Sequence, residues 1–155
     1  MYNHTPKRYV CPICLGIQGV ENELTLLRKS DLIYKDNIVS VFMNSFFIKG
    51  NEGHIIIVPN EHFEHLYDLS EEAGHRIIDC VKRYSIILKQ AYKCDGITIQ
   101  QNNEPAGGQH AFHYHLHIFP RYANDSFYIN IKNKINTIPE ERAAYVKKIV
   151  QCAES

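Results

Sequence analysis

The sequence predicts an α+β domain, an antiparallel sheet with segregated helices, on three observations. Short apolar runs bounded by turn residues recur between positions 32 and 59 and again between 95 and 119. One long segment, 70–92, carries apolar residues at helical spacing. The connections between the strands are short, which favours antiparallel over parallel pairing. At 155 residues the chain is most simply one domain spanning 1–155, long enough to bury a sizeable core.

The elements follow in chain order. Residues 9–16 hold Cys11-Pro-Ile-Cys14 and Gly16 and read as a knuckle-like turn more than a regular element. Leu32-Ile-Tyr-Lys35 and Ile38-Val-Ser-Val-Phe-Met43 read as two strands joined by a tight turn at Asp36-Asn37. Gly53-His-Ile-Ile-Ile-Val-Pro59 is a further strand, ended by a proline that cannot continue the ladder. Ser70 is a good N-cap for the long helix, and Glu71 and Glu72 suit its first turn. Ala73, Ile77, Val81, Tyr84, Leu88 and Ala91 form its apolar stripe, leaving His75 on the polar face. Asp95-Gly-Ile-Thr-Ile-Gln-Gln101 is a strand running into the polar loop Asn102-Asn-Glu-Pro-Ala-Gly-Gly108. A helix over about 139–151 closes the chain, with Pro139 in its first turn and acidic residues after it.

Composition excludes several classes of function. Lys plus Arg and Asp plus Glu both number 17, so no bulk field draws the chain to nucleic acid or a membrane. No apolar run is long enough for a membrane span, and the first eight residues lack a hydrophobic signal core, so a cytosolic protein is expected. Five cysteines there imply reduced thiols, with Cys80, Cys94 and Cys152 as small core or surface side chains.

The chemistry concentrates in residues 109–121. His113, His115 and His117 alternate with Tyr114, Leu116 and Ile118. On a strand, alternate residues point to one face, so three imidazoles share one side and an apolar strip anchors the other. Imidazole near neutrality serves as nucleophile, general acid or metal ligand. Two arrangements fit: three ligands on one metal, or a central His115 that attacks phosphorus while its neighbours hold the phosphate. In the preceding loop, Gly107 and Gly108 let backbone N–H groups approach an anion, and Asn102 and Gln109 offer neutral donors. The Cys11-x-x-Cys14 pair is either half of a zinc site or a redox motif. With no second such pair, zinc would need histidines, of which His62 and His113 are the best placed by context.

These residues resemble the histidine-triad (HIT) family of nucleotide hydrolases and transferases. His113-Tyr-His-Leu-His-Ile-Phe119 is similar to its triad, Gly53 to His62 to its Gly-His-strand-Pro-x-x-His segment, Asn102 to Gln109 to its phosphate loop, and Pro120-Arg121 to the pair that follows the triad. The pieces occur in the family's order over residues 10–122, with a motif core at about 32–122.

The resemblance implies a five-stranded antiparallel sheet with a long helix and a C-terminal helix, dimerising so that two sheets become one. It implies a hydrolase that cleaves a dinucleoside polyphosphate or nucleoside phosphoramidate, adenosine favoured, at the α-phosphate. His115 would be the nucleophile, His117 and Gln109 would contact the phosphate, and Asn44 would hold the ribose. Asn102, Gly108 and His110 complete the nucleotide site. In the family's bacterial branch that begins with CxxC, the resemblance implies a structural zinc on Cys11, Cys14, His62 and His113.

The sequence departs from the family at three places. His110 replaces a Ser or Thr, Asn60 replaces a frequent Lys near the entrance, and the segment from Asn44 to His54 is longer than usual. A nucleotidyl transferase or phosphorylase, a hydrolase with its metal on the triad, and a nucleotide-binding protein without turnover are the alternatives.

Overall fold

The computed structural model describes residues 2–154. The N-terminal cysteine segment is a short helix, α1 (Pro12–Ile17), and not the irregular knuckle expected. Pro12 sits at the first helical position, where a missing N–H costs nothing, and the Cys11 sulfur caps the turn by accepting from the Cys14 N–H at 3.3 Å. The sheet strands follow as β1 (Leu32–Lys35), β2 (Val39–Met43), a short β3 (Phe46–Ile48) and β4 (Ile55–Pro59). Asp36 makes the expected turn between β1 and β2, its carboxylate accepting the N–H groups of Ile38 and Val39 at 2.8 Å each. Then come the long helix α2 (Glu71–Tyr92), β5 (Gly96–Gln101), β6 (Leu116–Arg121), a single helical turn α3 (Phe127–Asn130), β7 (Lys134–Asn136) and α4 (Pro139–Ala153).

Five strands pair antiparallel in the order β1-β2-β4-β6-β5, giving the α+β architecture that the strand pattern predicts. Alternation sorts the sheet into two faces. Val39, Val41, Met43, Ile55, Ile57, Leu116 and Ile118 point to one face and join α2 and α4 in the main core. Phe42, Ile56 and Val58 point to the other, under Cys11, Ile13 and Leu27 of the N-terminal segment. The α2 stripe is buried at Ala73, Ile77, Val81, Tyr84 and Leu88, with Cys80 and Ile87 added, while Ala91 is only half-buried. Tyr114, Leu116 and Ile118 do form a buried apolar strip.

β3 and β7 are a separate two-stranded sheet that the sequence pattern did not reveal. It uses the long segment between Asn44 and His54, and Thr137 clamps it by donating from its N–H and Oγ to the Ser45 carbonyl at 3.3 and 2.8 Å. Gly53 closes this segment at φ +81°, where a Cβ would lie 2.4 Å from Tyr145 Cδ1 and 2.8 Å from the Tyr92 hydroxyl. Only glycine lets α2 and α4 approach β4 there.

α4 is anchored by a fully buried ion pair. Arg142 donates to Asp31 through Nε at 2.7 Å and Nη2 at 2.9 Å, and to the carbonyls of Thr137 at 2.7 Å and Leu26 at 3.2 Å. Removing one partner of such a pair strands a charge in the interior. Asp31→Ala is therefore expected to lower stability by about 3–5 kcal/mol in urea denaturation. A loss below about 1 kcal/mol, the range of exposed pairs, would contradict this role.

Candidate active site and metal centre

Four side chains from three distant segments converge beside α1. Cys11 and Cys14 lie with their sulfurs 3.4 Å from His113 Nδ1, and the Cys14 sulfur is 3.3 Å from His62 Nδ1. One donor atom from each of the four lies within 4.8 Å of the others. A tetrahedron around an ion bound at ~2.0–2.3 Å has vertices roughly 3.3–3.8 Å apart, so this donor set fits a closed metal site. The His113 ring is committed to it from behind. Its Nε2–H donates to the Pro59 carbonyl at 2.9 Å, which leaves the Nδ1 lone pair facing the cysteines. Burial holds His113 down at about 4, so the ring is neutral, the form that ligates a metal.

The three triad histidines do not converge on one ion. β6 begins only at Leu116, so His113, at a bend, and His115 precede the ladder, and only His117 lies within it. The three-ligand reading is corrected by this divergence: His113 turns to the cysteines, while the His115 and His117 rings stay 5.0 Å apart, edge to face, at the cavity.

Those two rings carry opposite tautomers. His115 Nδ1–H donates to the His113 carbonyl at 2.7 Å, because a carbonyl only accepts, and its Nε2 is left with the lone pair. Asn44 fixes the other ring. Its Oδ1 accepts the Phe46 N–H at 3.0 Å, which orients the amide so that Nδ2 donates to His117 Nδ1 at 3.3 Å. His117 therefore carries its proton on Nε2. Burial lowers the pKa of both rings, that of His117 well below the usual value, so both are neutral at pH 7.

Two cavities meet at this point. The larger, about 360 Å³, is an apolar trough walled by Ile13, Leu24, Leu26, Leu27 and Ile56 and ending at His115. The smaller, about 270 Å³, is lined by His54, Gln100, Gly107, Phe119 and Ile131. Asn44, Asn102, Gly108, His110, His117 and Lys134 line both. Gly108 adopts φ +86°, and the Asn102 amide donates to its carbonyl at 3.4 Å, shaping the loop at the junction.

Gln109 does not join them. Its Oε1 accepts the Glu104 N–H and its Nε2 donates to the Glu64 carbonyl, both at 2.7 Å, so the amide is spent inside the fold. Asn60 is likewise structural, bonded to Ser40 and to the Asp36 carbonyl, and lines neither cavity.

The sequence reading missed His54 and Lys134 as cavity residues. His54 is buried, stacks on Phe119 with centroids 4.4 Å apart, and is held down at about 3 by burial. Its place two residues before Ile56 on the His117 face was readable from alternation. Nothing in the local pattern around Lys134 signalled its position.

The HIT domain family matches residues 27–124, well over half of the chain. An uncharacterised HIT-like protein of Saccharolobus solfataricus is 35% identical over 116 residues, covering 75% of this chain and 77% of that protein. The chain belongs to the HIT domain family. An AP-4-A phosphorylase of Mycobacterium tuberculosis is 28% identical over 91 residues, which are 58% of this chain but only 47% of that protein. Among solved structures, a Hit-like protein from Bartonella henselae aligns with TM-score 0.72 and 30% identity over 79% of this chain and 85% of that one. A zinc-bound histidine triad family protein from Mycobacterium smegmatis has TM-score 0.75 at 21% identity over 93% of each chain, a likeness of fold.

Long-range proton–nitrogen NMR at pH 7 should show His115 protonated at Nδ1 and His117 at Nε2, both neutral. In Asn44→Ala the His117 preference should weaken while that of His115 stays. The same tautomer on both rings of the parent protein would refute the hydrogen-bond assignment.

Proposed function

We propose that this protein is a nucleotide hydrolase acting at the α-phosphate of a dinucleoside polyphosphate or nucleoside phosphoramidate, through a nucleotidyl-histidine. The observation that carries this reading is the His115 ring, whose Nδ1–H is tied to the His113 carbonyl at 2.7 Å and whose Nε2 lone pair is left for attack. His115 Nε2 forms a bond to the α-phosphorus as the bond to the leaving group breaks in line. Water then attacks the phosphorus, releasing a nucleoside monophosphate and restoring the neutral ring.

His117, with its proton on Nε2, donates to a phosphate oxygen. Asn102, which lines both cavities, supplies a further donor at their junction, whereas the Gly107 and Gly108 N–H groups are bonded to the Glu104 and Pro105 carbonyls at 3.0 Å and shape the loop. The apolar trough suits a flat base such as adenine, with Asn44 at its inner end for the ribose. Gln109 acts through the loop it braces, not by touching the phosphate.

The likeness to an AP-4-A phosphorylase favours a second acceptor, inorganic phosphate, which would release a nucleoside diphosphate.

Cys11, Cys14, His62 and His113 would hold a structural zinc. The four donors leave no open position, so its chemistry is to pin α1 against the triad segment. As in the family, two copies would pair; the outer edge of β5, where Ile99 is 52% exposed, is a free strand edge available for this. The described helices include none long and apolar enough to cross a membrane.

The test is a panel of diadenosine polyphosphates and adenosine phosphoramidates, with and without phosphate. His115→Ala is expected to lose at least ~10³-fold in kcat, the scale seen for lost nucleophiles, with zinc content unchanged. Retained turnover would exclude His115 as nucleophile, and lost metal would return the triad to a ligand role. Cys14→Ser should abolish stoichiometric zinc and cost on the order of several kcal/mol of stability, read by metal analysis and thermal unfolding. Wild-type protein purified in zinc-containing medium and found free of metal would overturn the zinc assignment.

A further inference from the structure

Lys134 opens β7 and pairs in register with Ile48 of β3. It lines both the trough and the smaller cavity, at the junction shared with Asn44, Asn102, His110 and His117. Among the residues lining either cavity it is the only lysine or arginine; the remaining polar groups of the smaller cavity are amides, imidazoles and backbone. The family match ends at residue 124, so this cation comes from chain beyond the matched domain.

Its backbone is held in place. Thr137 is bonded to the Ser45 carbonyl, the Asn130 amide donates to the Lys49 carbonyl at 2.9 Å, and the buried Arg142 donates to the Thr137 carbonyl at 2.7 Å. The β3–β7 sheet is thus a bracket that carries one ammonium to the mouth of the triad.

We propose that Lys134, with Gln100 and Asn102 in the smaller cavity, forms an anion subsite for the phosphate next to the one His115 attacks, and so selects nucleoside polyphosphates over phosphoramidates. The proposal deepens the nucleotidyl-histidine reading and rests on it.

The leaving groups explain the selection. When a phosphoanhydride bond breaks, its electron pair leaves on the bridging oxygen and adds negative charge to the departing phosphate. An ammonium lining the cavity stabilises that charge as it develops. When a phosphoramidate bond breaks, the electron pair leaves on an amine that needs a proton, and an ammonium beside it contributes nothing comparable. The positive charge of Lys134 already reaches inside, where it is among the causes that lower the pKa of His54, His115 and His117.

The experiment compares kcat/KM on diadenosine tetraphosphate and adenosine phosphoramidate for wild type, Lys134→Met and Lys134→Arg. The polyphosphate-to-phosphoramidate ratio is expected to fall about 10–100-fold in Lys134→Met, as for a lost charge-assisted contact, and to recover in large part in Lys134→Arg. Equal loss on both substrates would overturn the subsite and leave Lys134 as a general prop of the site.

Binding gives an independent reading. In the His115→Ala protein, calorimetry should show adenosine triphosphate binding more tightly than the monophosphate, and adding Lys134→Met should weaken the triphosphate about tenfold more than the monophosphate. Equal weakening, or no preference at the outset, would overturn the proposal. Preserved discrimination in binding, with no turnover of either substrate by the wild type, would sink the hydrolase reading and leave the anion subsite standing.

Discussion

The arrangement of the site depends on where the β4–β6 ladder stops. β6 pairs with β4 only from Ile118 back to Leu116, opposite Ile55 to Ile57, although β4 continues to Pro59 against β2. Past Leu116 the triad segment leaves the sheet, and two other bonds hold it. The Tyr114 N–H donates to the Phe63 carbonyl at 2.6 Å, and the His113 ring donates to the Pro59 carbonyl at 2.9 Å. That release lets His113 swing to the cysteines while Tyr114 stays in the core and His117 keeps its place in the ladder. An unbroken ladder would have held all three rings on one flat surface. At the opposite end, Pro120 lies beyond the last β4 partner, and its carbonyl accepts from Asn51 at 2.9 Å. A proline is tolerated in β6 because it sits where no N–H is required on that edge.

The separation also sets the electrostatics. Four imidazoles lie close together, yet desolvation dominates in each and holds them neutral near pH 7. Charged rings at the 5.0–5.6 Å spacings of His115, His117 and His54 would repel strongly in this interior. With the rings neutral, hydrogen bonds decide which nitrogen holds each proton. The His113 carbonyl and the Asn44 amide make opposite choices at adjacent rings, leaving a lone pair beside a donor. One ammonium at the rim then supplies positive charge without requiring any imidazole to ionise.

Much of this was legible because it is local. Alternation located β1, β2, β4 and β5, and helical spacing located α2, where the structure adds Cys80 and Ile87 to the stripe and leaves Ala91 half-buried. The four converging donors at Cys11, Cys14, His62 and His113 were reached by way of the family resemblance, since spacing alone left the cysteine pair open. What failed was also physical. The short α1 was masked by Pro12 and Gly16, which read as breakers, although Pro12 suits a first helical position. β3 and β7 are three residues each, too short for a period, and each is a strand only because the other lies beside it. Gln109 belongs to the family's loop pattern, but its amide is consumed by Glu104 and Glu64, a competition visible only once residue 64 is placed next to residue 109.

By itself the sequence determined the fold class, the order of the main strands and helices, and the residue types that do chemistry, because periodicity and side-chain chemistry are written locally. The tertiary structure decided how those residues divide. It gave geometry to the division of the triad that the resemblance implied, with His113 beside the cysteines and His115 with His117 at the cavity, tied the Gln109 amide into the fold, and brought His54 and Lys134 to the cavity wall. Each of these outcomes turns on contacts between segments tens of residues apart. The register at which a ladder ends, and the partner that reaches a hydrogen bond first, are properties of packing and not of spacing along the chain.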